Sequence, residues 1–160
     1  MKIIKLNAID STNSFLKDLS QDSALENFTV VVAKKQTEGR GQHKSNWQSE
    51  AHKNLTFSTF IKFSNLKISD RKYLNFAISL AIKNVLISLD LKKIAIKWPN
   101  DIMSANKKIC GILIENTFSG NKIKNSIVGI GINVNQEKFP DFLNNVTSLK
   151  LETSINYNLD

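Results

Sequence analysis

The stretch Ile127-Val128-Gly129-Ile130-Gly131-Ile132-Asn133-Val134-Asn135 alternates with a period of two, the mark of a strand with two unlike faces. Val128, Ile130, Ile132 and Val134 fall on one side, all bulky and apolar. Gly129, Gly131, Asn133 and Asn135 share the other side with Ile127. The apolar side demands a packed core, whereas glycines and amides leave room for something to lie against the strand backbone.

Working outward, most of the remaining chain also reads as strand. Lys2 to Ile9 is the first, Thr29 to Lys35 the second and Asn54 to Phe63 the third, the last with Leu55, Phe57, Thr59, Ile61 and Phe63 on one face. Lys93 to Trp98 alternates again and puts Ile94, Ile96 and Trp98 together. Pro99 ends that strand because it cannot donate to a ladder, and Asn100-Asp101 favours a turn. A hairpin tip at Ser104 to Lys107 leads into a strand from Lys108 to Asn116. Two helices interrupt the series. Asp10-Ser11-Thr12-Asn13 supplies N-terminal caps ahead of the stripe Phe15, Leu16 and Leu19. Asp70 opens the longest helix, in which Leu74, Ala77, Ile78, Ala81, Ile82, Val85 and Leu89 repeat at helical spacing. After Pro140 the signal thins, and residues 151–160 read as a poorly ordered polar tail.

A chain of 160 residues with 41% hydrophobic and 22% charged side chains is most simply one globular domain. Its one cysteine, Cys110, excludes an intramolecular disulfide and fits a reducing compartment. No apolar run approaches membrane-spanning length, and Met1-Lys2-Ile3-Ile4-Lys5 breaks its apolar run too early for a secretory signal. The chain is therefore expected in the cytoplasm, with no membrane partner. The net charge of +8 raises the question of nucleic acid. The lysines are scattered, however, and the chain before Gln36 has room for only one good helix, so no DNA partner is expected.

The loop after the second strand, Gln36 to Trp47, carries Arg40 between Gly39 and Gly41. Glycines let the backbone approach a ligand closely, and the planar five-donor guanidinium suits an anion. Ser11 and Thr12 at a helix N-terminus either cap it or hold a polar part of a ligand. Common catalytic signatures are missing. There is no Gly-Lys-Ser/Thr and no third glycine for a dinucleotide fingerprint. His43 and His52 lack ligand spacing with Cys110, and no Gly-x-Ser-x-Gly elbow occurs. What remains is a set of cations, Arg40, Lys97 and Lys108, with backbone donors and no protein nucleophile. Such a site suits joining a carboxylate to a nucleotide phosphate, where catalysis is positioning and charge neutralisation.

Five segments taken in order, Ser11-Thr12-Asn13, Gln36-Thr37-x-Gly39-Arg40-Gly41 with Trp47, Lys97-Trp98-Pro99-Asn100-Asp101, Lys108-Ile109-x-Gly111-Ile112-Leu113-x-Glu115 and Gly129 to Asn135, resemble the motifs of the biotin protein ligases. The resemblance implies an α/β (α+β) catalytic domain over residues 1–150, with a mixed sheet and packed helices related to class II aminoacyl-tRNA synthetases. It also implies two half-reactions: biotin and Mg-ATP give biotinyl-5′-AMP, and a lysine of a biotin carboxyl carrier domain of a carboxylase then takes the biotinyl group.

Carried over by position, Ser11, Thr12, Asn13, Gln36, Gly39, Arg40, Gly41, Gln42, Trp47, Lys108, Gly111, Leu113, Gly129 and Gly131 would form the biotin site. Gly111, Gly129 and Gly131 would clear space for the ligand. Arg40, Lys97, Asn100 and Asn133 would serve ATP, and Arg40 with Lys108 would carry the catalytic charge. Magnesium would accompany ATP, its protein ligands unassigned, and an oligomer is compatible with the family. The chain departs from many members at Gln42-His43-Lys44, where they carry Arg-Arg-Gly. Members usually continue into a small C-terminal β-barrel, and repressor types begin with a DNA-binding domain, so a repressor role is not expected here. A lipoate or octanoate ligase of the same superfamily and a non-catalytic biotin-binding module are the alternatives.

Overall fold

The structure, a computed structural model, describes residues 1–22 and 24–159. Seven strands form one mixed sheet: β1 (Ile3–Leu6), β2 (Thr29–Ala33), β3 (Asn54–Lys67), β4 (Ile94–Lys97), β5 (Asp101–Ser104), β6 (Lys107–Ser119) and β7 (Lys122–Asn133). Their spatial order is β1-β2-β3-β7-β6-β5-β4, and only the β1–β2 pair is parallel. Among the described residues three α-helices accompany the sheet: α1 (Thr12–Asp22), α2 (Arg71–Ser88) and α3 (Leu149–Thr153). This is the expected α+β architecture.

Strand parity divides the side chains. Ser58 pairs with Gly129, which pairs with Leu113, so these three share one face. Phe60 and Ile127 lie on that face too, where they pack with Val31 under Leu16 of α1. Phe57, Ile130 and Ile112 point the other way, and there Ile112, Val128, Ile132 and Val134 form the larger core with Ile82 and Leu86 of α2. The two long helices therefore cover opposite faces of the sheet. The side with Gly129 and Gly131 is the α1 side, as the alternation of β7 requires.

Several details depart from the sequence reading. β3 runs on to Lys67 and β7 starts at Lys122, because these polar ends pair with each other whatever their side chains. β5, read only as a turn, is four residues long, too short for an alternation to show. The buried stripe of α2 is also rotated. Ser79, Ile82 and Leu86 are buried, while Val85 is 55% exposed and Ala77 and Ala81 face solvent. Nearly every side of this helix carries apolar residues, so periodicity alone does not pick the face that meets the sheet.

The expected polar tail is instead docked. Ser148 caps α3, its hydroxyl accepting from the Leu151 amide. Leu149 is buried in the α2-side core, and Tyr157 and Leu159 pack against it. Asn135 and Tyr157 exchange two hydrogen bonds, Asn135 Nδ2 donating to the Tyr157 carbonyl at 2.8 Å and the Tyr157 amide to Asn135 Oδ1 at 2.9 Å. Only two apolar side chains spaced two apart anchor this segment, too few for a pattern to show in sequence. Asp160 lies outside the described residues.

Candidate active site: a cation-lined cleft at the start of the first helix

Four parts of the chain meet on the α1 side of the sheet: the first turn of α1, the loop from Gln36 to Trp47, and the middles of β6 and β7. At the helix end, Gln36 Oε1 accepts from both the Thr12 amide (2.8 Å) and the Thr12 hydroxyl (3.0 Å). With Oε1 so engaged, the amide-nitrogen end of Gln36 lies by Gly39 and is the end left to donate. Asn13 is oriented on both sides. Its Oδ1 accepts from Ser58 Oγ, and its Nδ2 donates to Glu115 Oε2 at 2.9 Å. Ser11, Thr12 and Asn13 are all buried although they sit on a helix N-terminus.

The loop is folded on itself. Trp47 N donates to Gly39 O (2.8 Å) and Gly41 N to Ser45 O (2.7 Å), and His43 takes a left-handed conformation with φ 52°. Gly39 is glycine because a Cβ there would strike the Trp47 carbonyl. The loop's indole lies flat over β6 and β7. A Cβ at Gly131 would overlap the Trp47 ring, and one at Gly129 would overlap Asn13 Oδ1. The strand glycines thus clear space first for two protein side chains, and these in turn line the cleft. The Trp47 Nε1 proton is buried and, among the described residues, meets no acceptor.

Two cations flank the cleft, each held by one carboxylate. Arg40 Nη2 lies 2.8 Å from Glu115 Oε1, and Nη1 donates to Oε2 at 3.3 Å. Lys108 Nζ lies 2.7 Å from Asp101 Oδ1 and 5.7 Å from the centre of the Trp47 ring. Strict alternation along β6 would put Lys108 in the core with Cys110. It does not, because β6 carries a bulge: Ile102 pairs with Cys110 and Met103 with Lys108, so Ile109 is an extra residue. Ile109 and Cys110 are both fully buried, and Lys108 turns to the side of Gly111, where its Cε would lie 3.3 Å from a Cβ on that residue. Burial pushes the Cys110 thiol far above its usual range, against a smaller lowering by Lys108, with Asp101 adding to the rise. It stays protonated in the core and is no nucleophile.

The expected site residues divide as follows. Ser11, Thr12, Asn13 and Gln36 line one side of the cleft, Arg40, Gly41, Gln42 and Trp47 the loop side, and Lys108, Gly111, Leu113, Gly129 and Gly131 the strand side. Asn100, from the β4–β5 turn, joins them. Three do not line it. Gly39 serves the loop's own closure; Lys97 is exposed on edge strand β4. Asn133 is 2% exposed and donates to the Thr147 carbonyl at 3.0 Å, because residues 145–147 run alongside Lys108 and cross in front of it. Ser45 and Asn46 also line the cleft and carried no signal of their own in the sequence, and Phe57, Ile112 and Ile130, whose side chains belong to the opposite face of the sheet, border it. Asp101, Glu115 and Ser58 stand behind the lining residues. The first two lie within the recognised motifs, and the third is a small polar residue on an otherwise bulky strand.

The cleft thus sets buried helix-end donors and two carboxylate-partnered cations on one face of a mixed sheet, an arrangement suited to binding an anion. The comparisons with known proteins agree. Residues 6–133 match the Biotin/lipoate A/B protein ligase family, and the chain belongs to it. The chain is 32% identical over 148 residues to the bifunctional ligase/repressor BirA of Bacillus subtilis, covering 91% of this chain and 45% of that protein. The biotin–[acetyl-CoA-carboxylase] ligase of Mycobacterium tuberculosis is 29% identical over 131 residues, or 79% of this chain and 47% of that one. Among solved structures, biotin protein ligase from Aquifex aeolicus in complex with biotin and ATP superposes with a TM-score of 0.80 at 32% identity, covering 98% of this chain and 63% of that one. The Leishmania major biotin protein ligase in complex with biotinyl-5-AMP gives 0.72 at 29% identity, with 93% and 63% covered. The chain thus spans under half the length of these curated relatives. Among the described residues no helix is long and apolar enough to cross a membrane.

Proposed function

We propose that this chain carries the catalytic centre of a biotin protein ligase: it forms biotinyl-5′-AMP from biotin and Mg-ATP, and the biotinyl group passes to a lysine of a biotin carboxyl carrier domain. The observation that carries the reading is the convergence of Arg40 and Lys108 on one cleft that also holds buried helix-end donors. The reaction needs that division of labour. The biotin carboxylate attacks the α-phosphate, a new C(O)O–P bond forms, and the bond to pyrophosphate breaks. Negative charge crowds this centre, and fixed cations stabilise it without reorganising.

Ser11, Thr12 and Gln36 would meet the ureido end of biotin, and Trp47 would pack against the ligand. Asn100 lies at the end suited to the nucleotide. Magnesium would arrive on the ATP phosphates. Among the described residues no cluster of three or more metal-ligating side chains occurs, and Asp101 and Glu115 already hold cations. A cytoplasmic setting fits the lone buried thiol.

The test is mass spectrometry for biotinyl-5′-AMP after incubation with biotin and Mg-ATP, with and without a biotin carrier domain. Adenylate and a labelled carrier lysine are expected. Biotin binding without adenylate would replace the ligase by a binding module, and adenylation of lipoate or octanoate in preference to biotin would move the chain to the other branch of its family.

A further inference from the structure

We infer that Glu115 is the positioning residue of this site: one carboxylate on β6 fixes both the anion-binding Arg40 and the helix-end Asn13, and so holds the loop from Gln36 to Trp47 over the sheet. This inference rests on the proposed function for its catalytic consequence, but its structural part does not.

Glu115 pairs with Ile127, which shares a face with Gly129, so its side chain rises on the cleft side of the sheet. It does not line the cleft. Its two oxygens are divided. Oε1 takes Arg40 Nη2 at 2.8 Å; Oε2 takes Arg40 Nη1 at 3.3 Å and Asn13 Nδ2 at 2.9 Å. The Arg40 side chain is 44% exposed and its guanidinium would otherwise keep only the long Nη1 bond to Ser14 Oγ (3.4 Å) among the described residues, whereas Glu115 is only 24% exposed and sits on a strand paired along its length. A fixed carboxylate thus orders a mobile cation.

Two further points make the arrangement more than a surface ion pair. A guanidinium has five donor hydrogens in one plane; Glu115 takes one from each Nη and Ser14 Oγ accepts from Nη1 at 3.4 Å, which leaves the Nε proton and a second Nη2 proton for an incoming anion. The loop's other bonds tie its start to the segment that opens α1, with Thr37 N donating to Ile9 O, Glu38 N to Asp10 O and Thr12 to Gln36 Oε1, or close it on itself, Trp47 N to Gly39 O and Gly41 N to Ser45 O, and none of these reaches β6. Apart from the Trp47 indole, which rests on the strand glycines and lies beneath the Lys108 ammonium, the Arg40–Glu115 pair is the tie to β6 among the described residues. Asn13 Nδ2 shares the same carboxylate, which links the helix end to the loop through one group, while Ser58 holds the other end of the Asn13 amide.

The experiment compares the wild type with Glu115→Gln, nearly isosteric and without the charge, after checking by circular dichroism and thermal melting that both fold. Two readouts are taken. In the ligand-free protein, tryptic cleavage after Arg40 should speed up about fivefold or more in the variant, because local opening sets the rate. In adenylate formation, kcat/KM for ATP should fall roughly tenfold or more, yet in an Arg40→Ala background the same substitution should change it less than about twofold, as expected for a residue acting through another. Unchanged cleavage together with unchanged kcat/KM in the variant would overturn the assignment. So would a variant that uses ATP better than the wild type, which would make Glu115 a competitor of the substrate anion. If the wild type forms no adenylate while Glu115→Gln still frees the loop, the structural role stands and the proposed function fails.

Discussion

A methyl group at position 131 would occupy space now filled by the Trp47 indole. The strand backbone beneath cannot retreat without breaking its pairing to Gly111 and Thr56, so the indole has to move. Gly131→Ala should therefore cost about 1–3 kcal/mol, the range for overpacking, and it should shift the tryptophan emission toward that of a solvated indole. Trp98, already 54% exposed, provides a constant background in that spectrum. An unchanged spectrum and melting temperature would show that Trp47 does not rest on the glycine floor. The same residue explains why β7 is so legible in sequence: its glycines accommodate large neighbours, and the alternation with isoleucine and valine says which side those neighbours are on. The pairing of Arg40 with Glu115 was not legible. They are 75 positions apart, and nothing in either local pattern links them.

At the scale of elements, α2 separates what periodicity shows from what packing selects. Leu86 is 1% exposed in the core, whereas its neighbour Val85 faces solvent. Leu86→Ala should cost about 2–5 kcal/mol in chemical denaturation, and Val85→Ala should stay within about 0.5 kcal/mol. Equal losses would mean that the helix rests on the sheet by the stripe its sequence first suggests. For α3 the corresponding test is electrostatic. Lys150 lies 2.7 Å from Glu137 Oε1, and this hydrogen bond, followed by the Lys150 charge, holds the Glu137 carboxyl below its ordinary value. A carboxyl lowered on folding adds stability above its unfolded pKa and loses it as pH falls through the folded value. Lys150→Ala should return Glu137 to the ordinary range in an NMR titration and flatten the acid limb of the stability profile by that one group. The contact is exposed, so the change should be small.

For the whole molecule, the docking of residues 154–159 is the arrangement least visible in advance. Asn135 and Tyr157 exchange hydrogen bonds, and Tyr157 Oη donates to Thr153 Oγ1 at 3.1 Å. Truncation after Ser154 should lower stability by about 1–3 kcal/mol, the cost of leaving a buried amide unpaired, and it should speed hydrogen exchange at the end of β7. A truncated chain as stable as the intact one would restore the free polar tail. Stability measured this way is independent of any ligand, so it separates the tail's contribution to the fold from the chemistry of the cleft.

The sequence by itself determined most of the strand periodicities, the two helix starts, many of the residues that line the cleft, and the family. These features are local or are carried by motifs whose spacing survives in one dimension. Only the tertiary structure decided which face of α2 is buried, that a bulge at Ile109 turns Lys108 out of the core, that residues 145–147 cover Asn133, and that Glu115 and Asp101 hold the two cations. Each of these depends on a partner strand or a distant side chain, and a period of two or of 3.6 residues carries no information about the register or neighbour against which it will be placed.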